Sequence, residues 1–252
     1  MEIAGKPAIV VGAGPLGAAT AKALSDAGAP VAVLDYDEDA ASAAANAAGG
    51  LAVAVDAADG AQGEAAVAAI ADAQGPCRIL VNCSDYGPNQ RLFTPGGPQP
   101  LEAFEQILRT NLVSTFNMMR VVSAAMADEM PADGGERGVI VNASSFAAYE
   151  GQIGFVAYSA AKGAVDGMTL PAARELSKHA IRVVAIATGA FGTPAILSLP
   201  EKSQEALGAA IPFPKRLGRP EEFAHAVLFA VRQSYLNGTT IRLDAAHRAP
   251  PQ

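Results

Sequence analysis

The sequence predicts an α/β fold: a single Rossmann-type doubly wound domain over residues 1–252, with a seven-stranded parallel sheet and helices on both faces. Three observations lead there. Short apolar runs alternate with longer amphipathic or Ala-rich stretches along the chain, the pattern of strands that cross over through helices to parallel neighbours. The first run opens directly into Gly12-Ala13-Gly14-Pro15-Leu16-Gly17, and the second ends on Asp35, as a dinucleotide-holding strand–turn–helix unit requires. Half of the 252 residues are hydrophobic and 17% are charged, enough to bury such a sheet on both faces.

In chain order, a strand is expected over 8–11, then a helix over 18–27. A strand over 31–34 is followed by an Ala-rich helix over 38–48, and a strand over 51–55 by a helix over 62–73. The fourth strand, 78–83, runs into a Gly/Pro-rich segment, 87–100, that reads as a surface loop. A long helical region over 101–130 and a loop over 131–136 precede a strand over 138–142. A helix then carries Tyr158 to about His179, and a strand follows over 182–187. Residues 188–218, with four prolines and two short helical stretches, read as an insertion that forms a substrate lid. A helix over 220–231 and a strand over 240–243 close the chain.

The composition narrows the function classes. The formal charge of −7 comes from dispersed acids, which argues against nucleic-acid binding. Cys77 and Cys83 are the only cysteines, and His179, His225 and His247 lie apart from them, so no metal-ligand spacing exists and no metal is expected. No apolar run approaches the ~20 residues of a membrane span, and the first residues enter a strand at once, without a targeting pattern. The expectation is a soluble, cytoplasmic protein acting on a small molecule, with no membrane partner.

Tyr158 and Lys162 stand four apart on the expected helix, so they share a face. An ammonium beside a phenol favours its ionised form, and a phenol so tuned can pass protons near neutral pH. Ser145, at the end of the preceding strand, can supply a second hydrogen bond to the same reacting oxygen, as alcohol oxidation requires. Glycines in the Gly12–Gly17 turn let a pyrophosphate rest on the amides of a helix N-terminus, and Asp35 can accept hydrogen bonds from an adenosine ribose. The acids at Asp37, Glu38 and Asp39, with no Arg or Lys in the glycine loop, would repel a 2′-phosphate, so the expected cofactor is NAD rather than NADP.

With these residues in place, the chain resembles the short-chain dehydrogenase/reductase family. Long stretches, among them GVIVNASSFAAYEGQIGFVAYSAAKGA, GMTLPAAREL, FGTPAILSLPEK, PFPKRLGRPEEFAHAV and YLNGTTIRLDAAHR, are similar to its 3-hydroxyacyl-CoA dehydrogenase group, and the likeness covers essentially the whole chain. The resemblance implies that Ser145 hydrogen-bonds the reacting oxygen, that Tyr158 is the acid/base, and that Lys162 holds the nicotinamide ribose and lowers the tyrosine pKa. It further implies that Asn111 anchors a water of the proton relay. Gly12, Gly14, Pro15, Leu16, Gly17 and Asp35 would bind the cofactor, Asp56 and Ala57 would flank adenine, and Cys83 would lie near the ribose. Phe191 and Thr193 would close on the carboxamide, and Gln152 would face the substrate. The implied reaction interconverts a hydrophobic secondary alcohol and a ketone, with 3-hydroxyacyl-CoA as one candidate, in a homotetramer. A biosynthetic ketoreductase and a non-catalytic dinucleotide-binding protein are the alternatives.

Several residues depart from the family pattern. Val11 stands where the glycine motif has threonine, the loop is one residue shorter, and Pro15 removes an N–H from it. Asn82-Cys83-Ser84-Asp85 ends on a carboxylate where relatives have glycine. Thr188 replaces a proline, and Ala245 replaces a glycine. The lid segment carries Ala195, Ile196, Leu197, Leu199, Leu207, Ile211 and Phe213, which suit an apolar substrate. Lys202, Lys215, Arg216 and Arg219 are either contacts for CoA phosphates or solvated surface charges.

Overall fold

The computed structural model describes residues 1–132 and 134–249, leaving aside the side chains of Pro194 and Ala195, so the lid reading of Ala195 lies outside the described residues. Its centre is a parallel sheet of β1 (Ala8–Val11), β2 (Val31–Asp35), β3 (Leu51–Ala54), β4 (Ile79–Asn82), β7 (Gly138–Ser145), β8 (Ile181–Thr188) and β9 (Thr239–Leu243). These seven strands lie in the order β3-β2-β1-β4-β7-β8-β9. A second, two-stranded antiparallel sheet pairs β5 (Phe93–Thr94) with β6 (Gly97–Pro98).

Strands buried on both faces read as continuous apolar runs, and β1, β4, β7 and β8 have no exposed residue. Side chains alternate between the two layers as the pleat demands. Ala8 and Val10 point into one core with α1 (Pro15–Asp26), α2 (Glu38–Ala48) and α9 (Pro220–Arg232). Ile9 and Val11 point into the other, with α3 (Gly60–Gln74), α5 (Ser114–Ala127) and α6 (Val156–Leu176). The sheet and its helices are therefore those the periodicity predicts.

Three local differences bear on the site. The helical region after residue 100 is α4 (Leu101–Leu108) and α5 joined through a π-turn, Arg109–Val113, which carries Asn111. β7 runs on to Ser145, beyond the expected end at 142, because its last residues pair with β8 through Ser145 and Thr188. The Thr188 hydroxyl donates to the Ser144 carbonyl at 3.2 Å, a bond that proline could not supply. The segment 188–218 holds α7 (Pro194–Leu197) and α8 (Glu201–Ala209). No helix among the described residues is long and apolar enough to cross a membrane.

Candidate active site

The strand order reverses between β1 and β4, and the crevice outside the carboxyl ends at such a point is where α/β sheets take ligands. The Gly12–Gly17 turn sits there. Gly12 has φ +95°, and a Cβ on it would lie 2.7 Å from the Ser84 nitrogen, so both backbone freedom and the approach of the β4 strand end require glycine. A Cβ on Gly17 would strike the Gly12 carbonyl oxygen, whereas one on Gly14 would meet nothing within 4 Å. Gly17 therefore serves helix–strand packing, and the space above Gly14 is open.

Gly14 is the N-cap of α1, Pro15 follows it, no side chain caps the helix, and its first turn has no acid. Such an end presents N–H groups and a positive dipole to an anion. Leu16 packs on the core beneath. At the end of β2, Asp35 accepts hydrogen bonds from Ala13 N at 2.7 Å and Asp37 N at 3.0 Å, which tie the carboxylate to the glycine turn. These features fit the pyrophosphate and adenosine ribose of a dinucleotide.

Asp56 and Ala57 follow β3 at the same rim. Burial works against the Asp56 carboxylate, but hydrogen bonds from Arg109, at 2.6 Å, and from Ala58 N hold its pKa below the ordinary value. Ala57 is buried, and its carbonyl accepts from the Asn117 side chain at 2.9 Å. Cys83 is buried, its N–H donates to the Val11 carbonyl, and burial pushes its thiol up to about 12. It stays a neutral packing group.

The reacting residues converge from two elements. Ser145 ends β7, and its hydroxyl accepts from Ala147 N at 3.2 Å in a short 3₁₀ turn, Phe146–Ala148. Tyr158 and Lys162 lie in the first turns of α6, with the Lys162 ammonium 5.5 Å from the Tyr158 ring centre. Only 2% of the Lys162 side chain is exposed, and its Nζ donates to the carbonyls of Ala143 at 3.3 Å and Ser84 at 3.4 Å. Tyr158 and Lys162 thus lie side by side, and Ser145 lies close enough to the Tyr158 hydroxyl to hydrogen-bond it.

The fourth member is Asp85. Its Oδ1 accepts from the Tyr158 hydroxyl at 2.8 Å and forms an ion pair with Lys162 at 3.2 Å. This corrects one expectation. Burial raises the Tyr158 pKa well above that of a free phenol, and the Asp85 charge and hydrogen bond add to the rise, while a hydrogen bond from Ser145 opposes it. Lys162 was expected to lower that pKa, but its charge is answered by the carboxylate. Asn111 lies in the π-turn before α5, buried among protein partners. Its side-chain amide donates to the Tyr86 carbonyl at 2.7 Å and the Ile107 carbonyl at 2.9 Å, and its Oδ1 accepts from Tyr86 N at 3.3 Å. Its own carbonyl accepts from the Thr115 hydroxyl. The side chain thus braces the loop that carries Asp85.

The loop runs over the surface, as expected, but is tied down beside the site. A Cβ on Gly87 would lie 2.6 Å from the Tyr158 ring, so the backbone rests on the ring face. Asn89 donates to the Ile153 carbonyl at 2.9 Å, and Gln90 N donates to the Gly154 carbonyl at 2.8 Å. Gln152 lies half-buried in the facing turn before α6. Behind the site, Asn82 donates to Asn142 at 2.8 Å across β4 and β7, a buried pair that the strand pattern does not announce.

Phe191 and Thr193 begin the 188–218 segment. The Phe191 ring is buried against Gly218, with which its backbone bridges, so the ring belongs to the core. The Thr193 carbonyl accepts from the N–H groups of Ile196 and Leu197. Leu197 and Phe213 are 53% and 82% exposed. Arg216 makes two hydrogen bonds to Glu222, at 2.8 and 2.7 Å, and is thereby engaged within the protein.

A family model described as enoyl-(acyl carrier protein) reductase matches residues 12–245. The chain is 42% identical to the 3-hydroxyacyl-CoA dehydrogenase type-2 of Homo sapiens over 96% of its own length and 95% of that protein. It is 41% identical to the protein of the same description from Drosophila melanogaster, covering 95% and 96% of the two chains. Among solved structures, 3-hydroxyacyl-CoA dehydrogenase type-2 from Mycobacterium avium superposes with a TM-score of 0.91 at 39% identity, covering 98% of each chain.

Proposed function

The chain belongs to the short-chain dehydrogenase/reductase family of oxidoreductases, and we propose that within it the protein is an NAD-dependent dehydrogenase of 3-hydroxyacyl-CoA or a closely similar hydrophobic secondary alcohol. The observation that carries this reading is the convergence of Ser145, Tyr158 and Lys162 beside an open glycine cradle at the reversal of the strand order. The names of the relatives support the substrate class.

When bound, the dinucleotide supplies the hydride acceptor or donor. The main chain of Gly12, Gly14, Pro15, Leu16 and Gly17 holds its pyrophosphate, with Asp35 on the adenosine ribose and Asp56 and Ala57 beside adenine. Asp35 with Asp37, Glu38 and Asp39 around the end of β2 leaves no cation for a 2′-phosphate, which supports NAD over NADP. Cys83 contributes main chain near the second ribose, which Lys162 also holds, and Phe191 and Thr193 meet the carboxamide.

Ser145 and Tyr158 share the substrate oxygen. The serine hydroxyl donates to it as its charge rises, and Tyr158 exchanges a proton with it. Asn111 keeps the adjoining loop in position, and Gln152 faces the substrate. We read residues 188–218 as the lid of a single domain. Its exposed Leu197 and Phe213 suit an acyl chain, and Lys202, Lys215 and Arg219 remain for CoA phosphates because Arg216 is held by Glu222.

The half-exposed apolar side chains Phe116, Val156 and Leu170 support a homotetramer built on the faces of α5 and α6, which light scattering would read directly. Two buried unpaired thiols, Cys77 and Cys83, suit a reducing cytoplasm. The functional reading is tested by offering 3-hydroxybutyryl-CoA, a steroid alcohol and a simple secondary alcohol with NAD or NADP. NADH growth with the acyl-CoA substrate supports it. Turnover of the free alcohols alone removes the CoA assignment.

A further inference from the structure

We propose that Asp85 is the proton acceptor behind Tyr158, so that the acid/base centre is a Ser145–Tyr158–Asp85 relay that opens to solvent. This rests on reading the chain as a dehydrogenase, and it concerns a position where the family pattern has glycine.

The geometry supplies the link from Tyr158 through Asp85 to solvent. The Tyr158 hydroxyl donates to Asp85 Oδ1 at 2.8 Å, a distance at which a proton can pass. Asp85 is 44% exposed while its ion-pair partner Lys162 is 2% exposed, so the carboxylate joins a buried cation to water. Asn111 grips Tyr86 at both its N–H and its carbonyl, which aims the preceding residue into the site. Gly87 on the tyrosine ring and the Asn89 and Gln90 bonds to residues 153–154 hold the loop closed on α6. The groups that face Asp85 are Tyr158 and Lys162 from α6. The Cys83 thiol, behind it on its own loop, is near enough to feel its charge.

The chemistry follows from this placement. A phenol kept protonated by burial and by a neighbouring carboxylate cannot accept a proton unless it releases its own in the same event. During alcohol oxidation the carbon-bound hydrogen leaves with its electron pair to the dinucleotide. The alcohol O–H bond breaks and its proton goes to Tyr158 Oη, while the Tyr158 proton goes to Asp85 Oδ1 and from there to solvent. The alcohol thus loses two electrons and two hydrogens, the dinucleotide gains the hydride, and one proton appears in water. In reduction the protonated Asp85 returns the proton along the same path. Lys162, neutralised by Asp85, orients the pair instead of ionising the phenol.

The test compares wild type with Asp85→Asn, which keeps the shape and loses the basicity, and with Asp85→Glu, which restores a carboxylate. Two readouts are taken. In the enzyme without cofactor, ultraviolet difference titration against Tyr158→Phe isolates this one phenol. In the assay, the oxidation rate is followed against pH. The relay predicts that Asp85→Asn lowers the Tyr158 titration by ~1 pH unit or more. It also predicts that Asp85→Asn reduces the oxidation rate ~10-fold or more near neutral pH, with the deficit closing as pH rises toward ionisation of the phenol. Asp85→Glu should recover the wild-type profile.

An unchanged phenol titration, an unchanged rate profile, or a rate that rises at every pH in Asp85→Asn overturns the proposal; the last would make Asp85 a plug that hinders the site. If Asp85→Asn does not fold, Asp85→Gly, which places the family residue there, is read against the same outcomes. Should wild type turn over no alcohol, the dehydrogenase reading fails on its own, and the phenol titration still decides whether Asp85 governs Tyr158.

Discussion

The carboxylate of Asp35 accepts the N–H of Ala13 at 2.7 Å, so the residue proposed to read the adenosine ribose also fixes the shape of the glycine turn. Asp35→Asn should therefore weaken both. Calorimetry is expected to show NAD binding reduced ~10-fold or more, since a hydrogen bond to a charged group contributes ~1.5–3 kcal/mol. Wild type should bind NADP far more weakly than NAD, and equal affinities would remove the electrostatic argument for NAD.

Gly14 and Gly17 look alike in the motif and should behave differently. A Cβ on Gly17 has the Gly12 carbonyl in its way, whereas one on Gly14 stands in open space. Gly17→Ala should cost ~1–3 kcal/mol of stability. Gly14→Ala should leave thermal unfolding nearly unchanged while weakening dinucleotide binding, because the added methyl stands where the pyrophosphate would approach. Paired melting and binding measurements on the two variants check this contrast.

Ala245 and Ala246 both hold positive φ, 50° and 60°, in the turn after β9. L-residues adopt this conformation at a cost of ~1–2 kcal/mol each. Ala245→Gly should thus stabilise the fold by ~1 kcal/mol, read as a raised midpoint in urea. A lowered midpoint would show that the turn is not strained there.

Glu222 holds the end of the 188–218 segment through Arg216. The Arg216 hydrogen bonds, followed by the N–H of Arg219, bring its pKa from 4.5 down to about 2. A carboxylate with a depressed folded pKa contributes stability above its unfolded pKa and loses it as pH falls toward the folded one. Both partners are more than a third exposed, so solvent screening keeps the contribution small. The stability difference between wild type and Glu222→Gln should be present at neutral pH and vanish as pH falls from 4.5 toward 2.

How far the sequence announces this structure depends on the range of each interaction. β1, β4 and β8 were legible because strands buried on both faces read as largely apolar runs, AIVV, ILVN and IRVVAIAT. Tyr158 and Lys162 were legible because four residues on a helix are one turn. The pairing that carries β7 past residue 142 was not, although Ser145 was placed at the strand end, because it depends on Thr188 of a neighbouring strand. Nor was the π-turn at Asn111, whose side chain bonds a loop 25 residues away. Asp85 could be flagged as a carboxylate in a glycine position, but its contact with Tyr158, 73 residues distant in the chain, is tertiary. Burial of the phenol, with that contact adding to it, moves the tyrosine pKa in the direction opposite to the expected one.

The central claim is that Tyr158, served by Ser145 and a bound NAD, carries out alcohol oxidation. It is tested most directly by following NADH formation from 3-hydroxybutyryl-CoA with wild type and with Tyr158→Phe, after calorimetry has established that both bind NAD equally. The account predicts turnover by wild type and a loss of ~100-fold or more in the variant, the lower end of what a positioned acid/base supplies. Equal turnover by the two proteins, with binding unchanged, would contradict it.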